Sequence, residues 1–350
     1  MKISRACFFS PVRLVVLVLL LLPFQLDAQQ EETVVTALAI APNGRTFYAG
    51  TGHGEVFKTF NTGRRWSLTG PGVQGAVRDL EIDPALPTTV FAATDQGLFV
   101  TADGGASWRN ALPEAIAVAA APGVVYAGLE GPVPLVRSND HGLTWTPAWS
   151  GLEGRVQALT VHPAQSNVVF AATSTGVFRS ETSGRTWARA GLDDSDVTRL
   201  VFEPLPPHRL YATRIAQPPP GPFGDLIWTE VYLTHSSRVF WRRTGIFGGP
   251  ALVDLAADTR LPGTVYAGFV ALSPTLQPRG LWKSTNVLGQ WQHVLEGSQV
   301  HSLATNPRHP GLLLAGFYSD HPDPGVIAMT RDGGLTWTSI GFGIMEGTLQ

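Results

Sequence analysis

A short acidic segment that ends in tryptophan occurs three times in this chain and carries residues that can do acid–base chemistry. The copies read TADGGASW (Thr101–Trp108), SNDHGLTW (Ser138–Trp145) and TRDGGLTW (Thr330–Trp337). Their carboxylates, Asp103, Asp140 and Asp332, could serve as general acids or bases. The same carboxylates could instead accept backbone N–H groups across a tight turn, where the glycine supplies a positive φ.

Four further segments keep the length of this box and its final tryptophan but change its polar residues. They read TFNTGRRW (Thr59–Trp66), SETSGRTW (Ser180–Trp187), THSSRVFW (Thr234–Trp241) and STNVLGQW (Ser284–Trp291). An acid catalyst does not tolerate replacement by asparagine or threonine, whereas a hydrogen-bonded turn does. The boxes therefore indicate structural turns, defined by Asn61, Trp66, Asp103, Trp108, Asp140, Trp145, Thr182, Trp187, Trp241, Asn286, Trp291, Asp332 and Trp337.

Two recurring apolar segments precede each box and predict the strands that position it. One is a short buried strand, such as Phe91-Ala-Ala or Tyr126-Ala-Gly, which occurs seven times. The other alternates polar and apolar residues and closes at a turn, as in DLEIDP (Asp79–Pro84). With the strands on either side of the box, the chain contains seven units of four strands. The expected fold is all-β, a single seven-bladed β-propeller of four-stranded antiparallel blades with the boxes as turns.

The box resembles the Asp-box, or BNR repeat, of sialidases, sortilin-type receptors, xyloglucanases and a photosystem II assembly factor. The resemblance extends over nearly all of residues 34–340. It implies a propeller, but it does not specify a function, because the family includes enzymes, receptors and assembly factors. A single propeller of this length is most similar to the assembly-factor type and to exported bacterial proteins with the same repeat.

The last three repeats are longer than the first four. From the alanine of the second strand to the tryptophan of the box there are 16 to 18 residues in the first four repeats, and 29, 24 and 22 in the last three. We expect these inserts to form a raised rim on one face, over blades 5 to 7, while blades 1 to 4 stay flat. The rim would present Phe223, Trp228, Tyr318 and Asp320 to a protein or glycan ligand.

Ionisable residues begin several of the innermost strands. In a propeller these residues converge on the mouth of the central channel, and the expected group is Arg78, Asp79, Arg199, Asp254 and His301, together with the polar Gln157. They could bind a ligand, or they could be solvated pairs that line a water-filled channel.

No complete catalytic set is recognisable. A sialidase needs three arginines, a tyrosine nucleophile with a glutamate and an aspartic acid, yet only Tyr232 and Tyr318 lie outside the repeated core strands. An inverting glycosidase needs only two carboxyl groups roughly 6.5–9.5 Å apart, for which Asp79 and Asp254 are candidates. The nine histidines are scattered, so no metal site and no cofactor are expected.

The first 28 residues have the pattern of a secretory signal peptide. Three basic residues precede an eleven-residue apolar segment, Leu14–Phe24, which is too short to span about 30 Å of hydrocarbon. The predicted domains are a signal peptide at 1–28 and the propeller at 29–350, so no membrane span is expected in the mature chain. The only cysteine, Cys7, lies in the segment to be removed.

The mature chain is weakly acidic. Removing residues 1–28 takes away three basic and one acidic residue, which changes the formal net charge from −2 to −4. This charge argues against nucleic acid as a partner. We therefore expect a secreted or periplasmic binding or assembly scaffold that is not an enzyme, with a glycoside hydrolase acting at the channel mouth as the alternative. The oligomeric state and the way the ring closes are left open.

Overall fold

Seven antiparallel β-sheets follow one another along the chain and form a seven-bladed β-propeller. The structure is a computed structural model that describes residues 34–216, 228–235, 240–248, 251–270, 280–285, 290–295, 299–318, 327–341 and 348–349. Within these ranges there is no helix. The predicted fold class is confirmed, whereas the signal peptide prediction falls on residues outside the described ranges.

Each blade uses its strands in chain order from the channel outwards. The innermost strands are β1 (Val35–Ile40), β5 (Val77–Ile82), β9 (Ala115–Ala121), β13 (Val156–His162), β17 (Val197–Phe202), β21 (Ala251–Ala257) and β25 (Val300–Thr305). The second strands are β2 (Phe47–Thr51), β6 (Val90–Thr94), β10 (Val124–Leu129), β14 (Gln165–Thr173), β18 (Arg209–Ala216), β22 (Val265–Val270) and β26 (Leu313–Phe317).

The outer half of each blade is less regular. The third strands are β3 (Val56–Thr59), β7 (Gly97–Thr101), β11 (Leu135–Ser138), β15 (Gly176–Ser180), β19 (Trp228–His235), β23 (Gly280–Ser284) and β27 (Ile327–Thr330). The fourth strands are β4 (Ser67–Leu68), β8 (Arg109–Leu112), β12 (Thr146–Pro147), β16 (Ala188–Arg189), β20 (Arg242–Gly248), β24 (Trp291–Leu295) and β28 (Trp337–Ser339). The last blade gains a fifth strand, β29 (Thr348–Leu349), which pairs with β28.

The second strands form the densest part of the core. All five residues of β2, β6 and β26 are buried, because neighbouring blades cover both faces of each sheet. This double coverage explains why these strands are continuous apolar runs rather than alternating ones. Tyr48, Tyr126, Tyr211 and Tyr266 are among the largest fully buried side chains, as the repeat predicts.

The box is a turn that is closed by its own side chains. In the second box, Asp103 Oδ1 accepts the backbone N–H groups of Ala106 and Ser107 at 2.9 and 3.0 Å. The hydroxyl of Thr101 donates to Asp103 and accepts the N–H of Gly105 at 2.8 Å. These hydrogen bonds, first from Thr101 and then from Ser107, hold the pKa of Asp103 well below its ordinary range.

The degenerate boxes make the same turn with uncharged acceptors. Asn61 Oδ1 accepts the N–H of Arg65 at 3.0 Å, and Thr182 Oγ1 accepts the N–H of Thr186 at 2.9 Å. The turn therefore requires an oxygen acceptor at this position rather than an acid, as its sequence variation indicates. Asn286 lies outside the described residues.

The boxes also join neighbouring blades, which the sequence does not show. The carbonyl of Gly104 accepts hydrogen bonds from Tyr48 and Lys58 of the preceding blade at 3.2 and 2.6 Å. The carbonyl of Gly333 accepts equivalent bonds from Tyr266 and Lys283, both at 2.7 Å. The turn thus exposes a backbone acceptor to which side chains of the preceding sheet donate.

Three of the box tryptophans also donate a hydrogen bond to the preceding blade. The indole N–H of Trp108 donates to Thr69 Oγ1 at 3.1 Å, and that of Trp187 donates to the carbonyl of Ala148 at 2.8 Å. Trp241 donates to the carbonyl of Ala190 at 2.7 Å. Each of these tryptophans therefore fills an inter-blade space and satisfies its polar atom there.

The ring closes without exchanging a strand between its two ends. Blade 1 consists entirely of β1 to β4, and β1 contacts β25 of blade 7 directly. Ser302 donates to the carbonyl of Val35 at 2.9 Å, and the amide of Asn306 donates to the carbonyl of Ala41 at 2.7 Å. The indole of Trp66 donates to the carbonyl of Ile340 across the same junction. Closure therefore depends on side-chain packing and hydrogen bonds.

Replacing Trp108 with alanine tests the box as a structural unit. The indole is 8% exposed and is buried against blade 1, so we expect Trp108→Ala to lower the free energy of unfolding by about 3–5 kcal/mol. Asp103→Asn retains the Oδ1 acceptor and should cost less than about 1 kcal/mol. Urea unfolding of both variants measures the difference. Equal losses would contradict the structural interpretation of the box.

Candidate functional site

The innermost strands of all seven blades surround one cavity of about 780 Å³, which extends along the central channel from its mouth. Six predicted residues line it, namely Arg78, Asp79, Gln157, Arg199, Asp254 and His301. Glu81 and Arg155 line it as well. The cavity is thus a concave, charged space on the axis of a rigid ring, the kind of place where propeller ligands can bind.

A β-bulge near the start of each innermost strand sets the side chains around the mouth. In β5 the register slips between Val77 and Asp79, which leaves Arg78 as the extra residue. In β25 the slip falls between Val300 and Ser302 and leaves His301 as the extra residue. The same irregularity occurs in the other five innermost strands. Bulges redirect single side chains, so this repeated feature determines which residues meet at the mouth.

The carboxylates of the cavity connect neighbouring innermost strands. Asp79 accepts the backbone N–H of Val118 at 3.2 Å, and Asp254 accepts that of Leu303 at 2.7 Å. Glu81 accepts the N–H of Ala120 at 3.4 Å. These acids therefore satisfy backbone donors that a curved set of separate sheets would otherwise leave unpaired.

Three arginines, Arg78, Arg155 and Arg199, bring positive charge to the cavity, and two of them face a carboxylate. Arg199 lies 3.6 Å from Asp254, and Arg155 forms an exposed ion pair with Glu130 at 2.9 Å. Arg78 is exposed and takes part in none of the ion pairs found among the described residues. Arg78 is therefore the cation best placed to bind an anionic group.

Burial weakens the negative charge of the cavity. Burial, reinforced by the charge of Asp79, raises the pKa of Glu81 to about 8, so this carboxyl is largely protonated near neutral pH. Burial also raises the pKa of Asp79 to about 6, and Asp254 contributes to the rise. The mouth is consequently more cationic at neutral pH than a count of its charged residues indicates.

His301 adds a neutral imidazole to the wall of the cavity. Burial lowers the pKa of its ring. Its Nε2 atom is buried and has no hydrogen-bond partner within the described ranges. His301 therefore contributes hydrogen-bonding capacity rather than charge near neutral pH.

The structure describes only part of the expected rim. Trp228 is the first residue of strand β19 rather than a loop residue, and it is half-buried, with its ring lying against Gly248. Tyr318 directly follows β26 and is also half-buried. Phe223 and Asp320 lie outside the described residues. The long insert of blade 5 is partly absorbed by strands β18 and β19, which are eight residues each.

Tyr232, one of the two tyrosines outside the repeated core strands, is hydrogen-bonded to a glutamate, but the pair is not poised for catalysis. Its hydroxyl donates to Glu230 at 2.8 Å, and Arg214 and Arg243 bind the same carboxylate at 2.6 and 2.5 Å. Burial raises the pKa of Tyr232, and the bond to Glu230 raises it further. A tyrosine nucleophile needs a lowered pKa rather than a raised one. We therefore interpret Tyr232, Glu230 and the two arginines as an ionic connection among the outer three strands of blade 5.

A second, smaller cavity opens between blades 3 and 4 on the same face. It measures about 510 Å³ and is lined by Leu129, Glu130, Gly131, Pro132, Pro134, Trp149, Gly154 and Arg155. Arg155 also lines the channel-mouth cavity. The expectation of a flat surface over blades 1 to 4 is wrong here, because the turn after β10 and the connector before β13 leave a groove between them.

Sequence reasoning missed three residues of these cavities. Glu81 lies two positions after Asp79 in β5, so strand periodicity places it on the same side and could have indicated it. Arg155 immediately precedes β13, in a connector whose path the sequence does not specify. Trp149 follows the third box and is not part of the repeated pattern. This departure from the repeat could have indicated it as a candidate residue.

Solved structures with this architecture include both enzymes and binding proteins. A GH74 xyloglucanase from Xanthomonas campestris matches with a TM-score of 0.65 and 16% identity, over 86% of this chain and 52% of that one. YCF48 bound to D1 peptide matches with a TM-score of 0.56 and 15% identity, over 86% of this chain and 92% of that one.

An extracellular domain gives a third match. It belongs to a B. thetaiotaomicron protein described as a one-component system, with a TM-score of 0.63, 14% identity, and coverage of 86% of this chain and 38% of that one. This chain therefore spans about half the length of the xyloglucanase and less of the third protein. At these identities the matches show the fold alone.

Comparison of the sequence with known families and proteins identifies no family for this chain. No protein-family model matches the chain, and no curated protein sequence matches it. Among the described residues, no helix is long and apolar enough to cross a membrane. The same part of the chain contains no group of three or more histidine, cysteine, aspartate or glutamate residues arranged to hold a metal ion.

The raised pKa of Glu81 gives a testable pH dependence. The folded chain holds this proton up to about pH 8, whereas the unfolded chain releases it near the ordinary value of 4.5. The wild type should therefore lose free energy of unfolding as pH rises from about 4.5 to 8. Glu81→Gln keeps the acceptor for Ala120 and should remove the part of this loss that comes from Glu81, while the smaller contribution of Asp79 remains.

Urea unfolding at pH 5 and pH 8 measures the effect, with the exposed Glu55→Gln as the matched control. The advantage of Glu81→Gln over the wild type should grow with pH, and the control should track the wild type. An advantage that does not change with pH would show that Glu81 is ionised in the fold.

Proposed function

We propose that this protein is an exported Asp-box propeller that acts as a binding or assembly scaffold, and that its channel mouth receives an anionic group of a peptide or protein partner. The observation that carries the proposal is Arg78, which is exposed at the mouth of the charged cavity and forms no ion pair with the other described residues. Arg155 and Arg199 lie in the same cavity wall. A planar guanidinium binds carboxylates through two parallel hydrogen bonds, which suits an acidic side chain or a chain terminus.

The state of the cavity acids supports binding over catalysis. Asp79, Glu81 and Asp254 each accept a backbone N–H from the adjacent blade, so their oxygens already have a structural role. Protonation of Glu81 further reduces repulsion of an incoming anion. A similar propeller, YCF48, was solved with a peptide bound, which makes a peptide ligand a reasonable class for this fold.

Export is part of the same proposal. The first 28 residues have the basic start and short apolar core of a signal peptide. A propeller that contains no cysteine after residue 28 relies on its core rather than on disulfides. The proposed location is the periplasm, the cell envelope or the medium.

Binding to octapeptides with a free C-terminal carboxyl group tests the scaffold. The wild-type mature chain should retain a subset of an immobilised octapeptide library, and C-terminal amidation or high salt should weaken retention. Arg78→Ala should reduce binding by about tenfold, a typical effect of losing a charged anchor. Arg45→Ala, an exposed arginine in the β1–β2 turn of blade 1, is the control and should bind like the wild type. No retention, or equal retention by Arg78→Ala, would refute anion binding at the mouth.

A glycoside hydrolase is the second candidate, and one observation favours it. The pKa of Asp79 is raised to about 6, which suits a general acid, and Asp254 is close enough to contribute to that rise. This function predicts release of reducing sugar from xyloglucan or sialyllactose near pH 5–6, and its loss in Asp79→Asn. Turnover that depends on Asp79 would replace the scaffold proposal, and no turnover by the wild type would exclude these substrates.

A further inference from the structure

The groove between blades 3 and 4 has the form of a second binding subsite. Trp149 lies in its wall with 38% of its surface exposed, which is unusual for a tryptophan in this chain because the box tryptophans pack between blades. Leu129, Pro132 and Pro134 supply the other apolar walls. A large exposed aromatic side chain in a concave apolar setting is a typical anchor for a partner.

The polar groups of the groove limit what can bind there. Among the described residues, the charged side chains that line it are Glu130 and Arg155, which bind each other at 2.9 Å. A sugar ring presents several hydroxyl groups that each need a donor or acceptor, and this wall offers few that are unoccupied. An apolar or proline side chain makes no such demand, and aromatic-lined grooves bind extended proline-containing peptides.

The groove and the channel-mouth cavity share Arg155 as a lining residue. A ligand that extended from the mouth past Arg155 would therefore reach the groove that Trp149 lines. Glycines also border the path, and Gly131 and Gly154 have no side chain to block a backbone. An extended peptide has the required form, with an anionic group at one end and apolar side chains at intervals along it.

We propose that the groove of Trp149, Pro132 and Pro134 binds an apolar or proline residue of an extended peptide whose anionic group occupies the channel mouth. This subsite rests on the proposed scaffold function and specifies its partner. The anionic group of the peptide fixes its position at the channel mouth. Trp149 then selects the residue that lies upstream of that group in the peptide.

A positional-scanning library of octapeptides with free carboxyl ends tests the subsite, read as fluorescence of labelled protein bound to each pool. The wild type should prefer proline or large apolar residues at one fixed position upstream of the carboxyl group. Trp149→Ala should lose that preference and bind the best pool about tenfold more weakly. Trp149→Phe should retain it, because the ring still offers an apolar face.

The control and the contrary outcomes separate this subsite from the scaffold itself. Leu143→Ala removes a residue of blade 3 that is 70% exposed but lies in the box turn, away from the groove, and should bind like the wild type. If Trp149→Ala keeps the wild-type preference while Arg78→Ala loses carboxylate binding, the subsite is wrong and the scaffold stands. If no pool depends on the carboxyl group, the scaffold itself fails. Binding of cellohexaose that is lost in Trp149→Ala without any peptide preference would overturn the proposal in favour of a sugar platform.

Discussion

The hydrogen-bonded turn between the third and fourth strands, which the structure describes in blades 1 to 4 and 7, is the interaction on which the rest of the propeller depends. Its side-chain acceptor, such as Asp103, satisfies the backbone inside the turn, which leaves the carbonyl of Gly104 pointing at the preceding blade. That carbonyl then receives Tyr48 and Lys58, while the tryptophan of the same box packs back between the two sheets. One local motif therefore both ends a hairpin and fixes the spacing between blades.

Because each box makes several contacts with the neighbouring blade, the ring is stable without covalent links or strand exchange. The junction between the first and last blades uses the same kinds of contact as the others, with Trp66, Ser302 and Asn306 donating to backbone carbonyls across it. A scaffold held at its outer turns and along its innermost strands can vary its loops with little cost. This tolerance is why the same fold carries hydrolases and peptide-binding proteins alike.

The residues of the channel mouth face the cavity and at the same time connect neighbouring strands. Asp79 and Asp254 face the cavity, yet they are committed to backbone donors of neighbouring strands. Burial keeps Glu81 largely neutral, so a cavity with similar numbers of acids and arginines presents itself to solvent as cationic. The charge that the cavity presents therefore depends on the burial and the hydrogen bonds of each group more than on its residue type.

The sequence by itself determined the repeat, the strand order within each blade and the positions of the box turns, because these depend on hydrogen bonds and apolar periodicity within about forty residues of chain. It also placed Arg78, Asp79, Arg199, Asp254 and His301 at one mouth, since every innermost strand begins at the same end of the ring. Only the tertiary structure decided how those charges are paired, which carboxyl groups are protonated, and that Trp149 and Arg155 form a groove between two blades. These properties arise between residues from different blades, and a pKa or a cavity depends on distances and burial that no single repeat contains.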